Sequence, residues 1–102
     1  NYPIIPEDLE RNALPGTLVD YKDKMFGLTI DPMRLSKVRG ERRPNSRYAD
    51  LENCKNEVKR AEELMRREEI SMLDSTSRSV EELSSLIMQQ ISFKAAKNML
   101  LD

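Results

Sequence analysis

The stretch Met25–Tyr48, MFGLTIDPMRLSKVRGERRPNSRY, decides how the chain is read. Met25, Phe26, Leu28 and Ile30 form a short apolar run suited to a buried strand. The run ends at Asp31-Pro32: the aspartate can cap a following helix, and proline fits a first helical turn, where no backbone donor is missed. A helix over 32–42 is predicted, with Met33, Leu35 and Val38 apolar and Gly40 a possible early stop. Between Arg34 and Arg47 six basic residues stand against one acid, Glu41. The whole chain has a formal net charge of −1, so this positive charge is a local concentration. Arg39, Arg42, Arg43 and Arg47 are the candidate catalytic residues, because a guanidinium can grip a phosphate with two parallel hydrogen bonds. Charge alone would also suit a solvated face. Position after a strand end, where α/β sheets hold ligands, and interruption by Gly40 and Pro44 favour a phosphate-binding loop.

Outward from this stretch, Tyr48, Leu51, Cys54, Val58, Ala61, Leu64 and Met65 recur at steps of three and four and predict a helix over 48–69. Ile70 to Leu73 reads as a short strand. Ser79 followed by Glu82 forms a capping box for a helix carrying Val80, Leu83, Leu86, Ile87 and Ile91. Towards the start, Tyr2 to Ile5 reads as a strand, Glu7 to Arg11 as one helical turn, and Asn12 to Asp23 as a loop. Strands alternating with helices predict an α/β fold with a parallel sheet and flanking helices. Ser92 to Asp102 either continues the last helix or frays.

The 102 residues fit one small domain or part of a larger one, with 38% hydrophobic residues for a thin core. Mixed charges at 34% of the chain argue against a general polyanion binder, so no nucleic acid is expected. There is no histidine, and Cys54 is the lone cysteine. An internal disulfide, a zinc site and a Ser/Cys-His catalytic pair are thereby excluded, and no metal site is assigned. Without a long apolar run or a signal peptide, no membrane association is expected and a cytoplasmic protein is. The start at Asn1 suggests a processed or truncated chain.

Asp31 admits two readings, an ordinary N-cap or a Mg²⁺-binding aspartate held at a strand end against a nucleotide. Ser75, Thr76, Ser77 and Ser79 make a hydroxyl-rich loop between strand and helix, of which capping explains Ser79. Cys54 lies on an apolar stripe and reads as core. None of Gly16, Gly27 or Gly40 begins a G-x-x-x-x-G-K-[ST] sequence, so the chain contains no phosphate cradle of that type.

The run FGLTIDPMRLSKVRGERRPNSRYADLENCKNEVKRAEELMRREEISMLDSTSRSVEEL resembles the C-terminal part of the regulatory protein family of pyruvate, phosphate dikinase and phosphoenolpyruvate synthase. GLTIDP-x-RL, the paired arginines, NSRYA and D-S-T-S-x-S-V-E-E carry the resemblance, over about Met25 to Ile91. Asn12 to Asp23 lies outside it, and Glu69 stands where a helix-terminating glycine would be usual. The resemblance implies the second half of a P-loop kinase-like domain over 1–91, its P-loop lying upstream, followed by a helical extension or tail over 92–102. It implies a bifunctional enzyme: an ADP-dependent Ser/Thr kinase that inactivates the dikinase or synthase, and a phosphate-dependent phosphorylase that reverses this and yields pyrophosphate. ADP and phosphate would be its small-molecule partners, with Mg²⁺ a candidate ion. Arg39 to Arg47 would form a lid over transferring phosphate, while Asp31, Thr76 and Ser77 would lie on the nucleotide side. The segment alone is expected to be inactive. Unpaired strand edges would favour self-association, so a homo-oligomer is expected. A non-catalytic structural or protein-interaction module is the alternative.

Overall fold

Phe26-Gly27-Leu28-Thr29 forms β1, and Ser71-Met72-Leu73-Asp74 forms β2. They pair in parallel, with Phe26 opposite Ser71 and Thr29 opposite Asp74. A parallel pair needs a long crossover, which α2 (Pro32–Arg42) and α3 (Leu51–Arg67) supply. A short α1 (Pro6–Arg11) precedes this unit and α4 (Val80–Leu101) follows it, with 3₁₀ turns at Val19–Lys24 and Arg47–Ala49. The computed structural model describes the backbone of residues 2–101 and the side chains of residues 2–93; Asn1 and Asp102, at which the expectations of a truncated start and of a tail begin and end, lie outside.

The α/β expectation holds as a two-stranded parallel sheet with flanking helices. Helix α3 is its organiser. Cys54, Leu64 and Met65 are buried on its apolar stripe, where α3 packs on α1 and β2, and the buried Leu9 of α1, Leu73 of β2 and Ile70 between α3 and β2 complete the core. Gly27 permits the close approach of α3 to β1: a β-carbon there would lie 1.9 Å from Met65 Sδ. Thr29, two residues on and therefore on the same face of the strand, donates its hydroxyl to Glu62 of α3 at 2.8 Å. Leu28 points to the opposite face and is 51% exposed.

The start of the chain departs from the sequence reading. Tyr2 to Ile5 pairs with no strand among the described residues; it is an extended lead-in with Tyr2, Ile4 and Ile5 exposed. Prolines at positions 3 and 6 remove ladder donors, and the Ile5 N–H is taken by the Asp8 carboxylate at 3.1 Å. Buried Asp8 is also paired with Arg11 at 2.6 Å. The expected loop over 12–23 runs into the 3₁₀ turn, and the end of α3 tethers it at both ends, by Lys22–Glu68 at 2.5 Å and by Arg67 donating to the Asn12 carbonyl.

Helix α3 begins at Leu51 rather than Tyr48, because the Asp50 side chain accepts the Asn53 N–H at 3.2 Å as its cap. Gly40 does not end α2, which runs through to Arg42. The Ser79–Glu82 capping box forms: Ser79 Oγ accepts the Glu82 N–H at 3.1 Å, while Glu82 Oε1 accepts from the Ser79 N–H at 3.5 Å. Residues 92–101 continue α4.

At the end of α3, Glu69 adopts φ 58°, the left-handed conformation that favours glycine. Its N–H bonds the Arg66 carbonyl at 3.1 Å and the Ile70 N–H bonds the Met65 carbonyl at 2.8 Å, which makes a Schellman stop sealed by the apolar Ile70 and Met65. The side chain of Glu69 therefore sits where its β-carbon is strained, and Glu69→Gly is expected to stabilise the chain by about 1 kcal/mol. A rise in urea midpoint would register it; a fall would mean that the Glu69 side chain makes a compensating contact.

Candidate functional site

The carboxyl ends of β1 and β2 converge, as they must in a parallel pair, and an open groove of about 450 Å³ lies beside them. Thr29, Ile30, Asp31 and Pro32 line it from β1 and the start of α2, and Asp74 from β2. Lys55, Val58, Lys59 and Glu62 line it from α3. This is where open α/β sheets receive ligands.

The loops after the two strands are tied together. Thr76 Oγ accepts the Asp31 N–H at 2.8 Å and donates to Asp74 Oδ1 at 2.5 Å, while its own N–H reaches Asp74 Oδ1 at 2.8 Å. Ser75 bonds the Thr29 carbonyl twice, through its N–H at 2.8 Å and its hydroxyl at 2.9 Å. The two Thr76 hydrogen bonds hold the Asp74 carboxyl below the usual range against the slight opposing effect of burial, so it is ionised at neutral pH. Asp31 caps α2 by accepting the Arg34 N–H at 3.2 Å. Of the residues placed on the nucleotide side, Asp31 and Thr76 thus come together at the groove, with Thr76 engaged as a brace. Ser77 is exposed beyond them.

The arginines occupy a different place. Arg39 and Arg42 lie in the last turn of α2 and Arg43 at its C-cap, about 10–15 Å from the start of the helix at the rise of an α-helix. Arg39 is largely absorbed into structure. It reaches Glu57 of α3 at 2.6 Å and the Tyr48 carbonyl at 3.0 Å, and its guanidinium stacks 4.3 Å from the Tyr48 ring centre. Burial works against its charge, but the hydrogen bond and charge of Glu57 outweigh this and raise its pKa further. Arg43 lies at 5.8 Å from the same ring. Arg42, Arg43 and Arg47 are exposed and, among the described residues, form no ion pair. The intervening segment is anchored: Ser36 donates to the Ala49 carbonyl at 2.6 Å, Ser46 to the Arg43 carbonyl at 2.7 Å, and Ser46 Oγ accepts from Ala49 at 3.3 Å. The structure therefore groups Arg39, Arg43 and Tyr48, with Arg42 and Arg47 beside them in sequence, and separates all of them from the groove.

Sequence reading missed Thr29, Lys55, Lys59, Glu62 and Asp74. The signal was available for three of them: Lys55, Lys59 and Glu62 follow at i, i+4 and i+7, one face of a helix. A charged helix face by itself reads as solvated surface, and only the packing of α3 against the strands brings it to a strand end. Among the described residues no group of three or more histidine, cysteine or acidic side chains could hold a metal ion, and no helix is long and apolar enough to cross a membrane.

A parallel β-strand pair with a helical crossover and a polar groove at its carboxyl ends defines an α/β unit. Residues 1–88 match the kinase/pyrophosphorylase family, and the chain belongs to that family. It is 63% identical over 91 residues to a protein of Azoarcus sp. (strain BH72) named as a phosphoenolpyruvate synthase regulatory protein, covering 89% of this chain and 33% of that one. A protein of Methylobacillus flagellatus carrying the same name is 60% identical over 91 residues, covering 89% of this chain and 34% of its own length. The chain thus spans about a third of the length of the curated relatives it matches. No solved structure matches it.

Proposed function

We propose that this chain is part of a bifunctional regulatory enzyme, an ADP-dependent Ser/Thr kinase and phosphate-dependent, pyrophosphate-forming phosphorylase. Its protein substrate would be phosphoenolpyruvate synthase or pyruvate, phosphate dikinase. Family membership and the relatives' names support the regulatory role. The fold reading that goes with it is the second half of a P-loop kinase-like domain, supported by the parallel strand pair and the groove at its carboxyl ends. ADP would be bound in the cytoplasm by a site to which Asp31 of the groove and its loop partner Thr76 contribute. Asp31 is the residue suited to Mg²⁺: capping uses its Oδ2, and Mg²⁺ is commonly held by one or two carboxylates and water. Bound there, the ion would neutralise charge on nucleotide phosphates.

One observation carries the role of the arginines. Arg39 is neutralised by Glu57, whereas Arg42, Arg43 and Arg47 are exposed on an anchored segment with no carboxylate against them among the described residues. Uncompensated guanidinium groups held in place suit stabilisation of a transferring phosphoryl group. The distance from the groove makes this a lid function, which closure of the segment over the nucleotide side would complete. In a family protein of full length carrying this segment, Arg42→Ala with Arg43→Ala is expected to lower phosphoryl transfer more than tenfold, about 1.4 kcal/mol of transition-state stabilisation. Unchanged transfer would remove the lid.

The second reading, a docking module, is favoured by the exposed apolar side chains of α4, with Val80 at 74%, Met88 at 62% and Phe93 at 72%. Isothermal titration with ADP separates the two, since a docking module would leave the full-length protein without nucleotide affinity.

A further inference from the structure

Asp74 ends β2 and is joined to Asp31, just past the end of β1, through a single hydroxyl. Thr76 Oγ donates to Asp74 Oδ1 at 2.5 Å and accepts the Asp31 N–H at 2.8 Å. The first of these is a hydroxyl-to-carboxylate bond, the stronger, charge-assisted kind. A hydroxyl has one proton and two lone pairs, whereas an ionised carboxylate can only accept. The Thr76 proton is therefore committed to Asp74, and a lone pair is left to receive the Asp31 N–H. Asp74 also accepts the Thr76 N–H at 2.8 Å, which fixes the backbone from which the hydroxyl projects. Its carboxylate thus sets both the place and the polarity of the group that holds Asp31.

What is held is the start of α2. The Asp31 side chain accepts the Arg34 N–H through Oδ2, and its carbonyl receives the Leu35 N–H at 3.0 Å. Its own N–H has no acceptor besides Thr76 among the described residues. Ser75 joins the same two strand ends separately, bonding the Thr29 carbonyl through its N–H and its hydroxyl. The register of β1 with β2 thus has its own fastening, and the Thr76 bridge acts on Asp31 in particular. We propose that Asp74 is a positioning residue for ligand binding by Asp31, acting through the Thr76 hydroxyl, whose part in the site is this bridge and not a contact with nucleotide. Ligand binding by Asp31 rests on the function proposed above; the coupling of Asp74 to Asp31 does not.

Amide hydrogen exchange in the 102-residue chain reads the coupling. Thr76→Val, close in shape but without the hydroxyl, is expected to speed exchange at Asp31 roughly fivefold, the loss of about one net hydrogen bond. Asp74→Ala is expected to speed it as well, and to add nothing further in the Thr76→Val background, as befits residues acting in one chain of contacts. The rest of the β1–β2 pair is expected to exchange as before, because Ser75 remains. An Asp31 amide indifferent to Asp74→Ala, effects of the two variants that add, or a general loss of protection across both strands overturns the inference. Calorimetric titration with ADP and Mg²⁺, in a family protein of full length carrying this segment, reads the consequence for the site. Thr76→Val and Asp74→Ala are each expected to weaken binding roughly fivefold and their double variant no further, with Thr76→Ser restoring most of the affinity. Weakening by Thr76→Val without weakening by Asp74→Ala would make the Thr76 hydroxyl a direct ligand and remove the positioning role. Unchanged affinity in both, while Asp31→Asn weakens binding and keeps a cap on α2, removes it too. If Asp31→Asn itself binds as tightly as the parent, the nucleotide side of the proposed function fails and the positioning role with it, while the coupling seen by exchange stands.

Discussion

Leu64→Ala is expected to lower the unfolding free energy by about 3 kcal/mol, more than any other single truncation in the chain. Leu64 is 1% exposed and sits on the stripe where α3 meets the strands and α1. Truncation removes the transfer free energy of the lost carbons and leaves a cavity that the fixed strand pair cannot fill by collapsing. The core has few other members, so little neighbouring mass is available to relax into the space. For a chain of this length total stability is on the order of 5–15 kcal/mol, and the loss would be a large part of it. Urea denaturation followed by circular dichroism measures the effect as a fall in midpoint at unchanged slope. A cost below about 1 kcal/mol would mean that α3 is not the organiser of the fold.

The same helix shows which features were legible in the sequence. Apolar residues at three- and four-residue spacing revealed α3, because one buried face leaves a period that no partner needs to supply. Asp31-Pro32 and the Ser79–Glu82 pair gave two helix starts for a similar reason: a cap is made from residues within one turn. Tyr2 to Ile5 misled because an apolar tetrapeptide has strand composition whether or not a neighbour exists to pair with it. Tyr48 fits the apolar period of α3 yet lies outside the helix, where its ring supports Arg39. The site divided along the same line. Asp31 and Thr76 could be placed near a strand end from local order, but their joining depends on the register of β1 with β2. The arginines follow a strand end in sequence and stand a helix length from it in space. Lys55 and Lys59 reach the groove only through the packing of α3, which no local pattern encodes.

Glu57→Ala is expected to destabilise the chain by about 2 kcal/mol and to disorder the arginine segment while leaving every arginine in place. Glu57 Oε2 accepts from Arg39 at 2.6 Å and from Asn53 at 2.8 Å, so its removal strands two donors at once. The side chains of Arg39 and Glu57 are only 16% and 22% exposed, and an uncompensated guanidinium at that depth is costly. The figure lies below that for a fully buried pair because some solvent reaches both groups. Arg39 also carries the Tyr48 ring and carbonyl, so its release loosens the turn over 47–49 that ends the arginine segment. Faster amide exchange at Arg47 to Asp50, with exchange in β1 and β2 unchanged, is the expected signature. A double-mutant cycle with Arg39→Ala should return a coupling of about 1–2 kcal/mol. Near-zero coupling would show that the pair is incidental, and the placement of Arg42, Arg43 and Arg47 would then owe nothing to α3. If the coupling is found and phosphoryl transfer in a full-length family protein falls with it, Glu57 is the residue that orders the base of the arginine segment from which the lid closes.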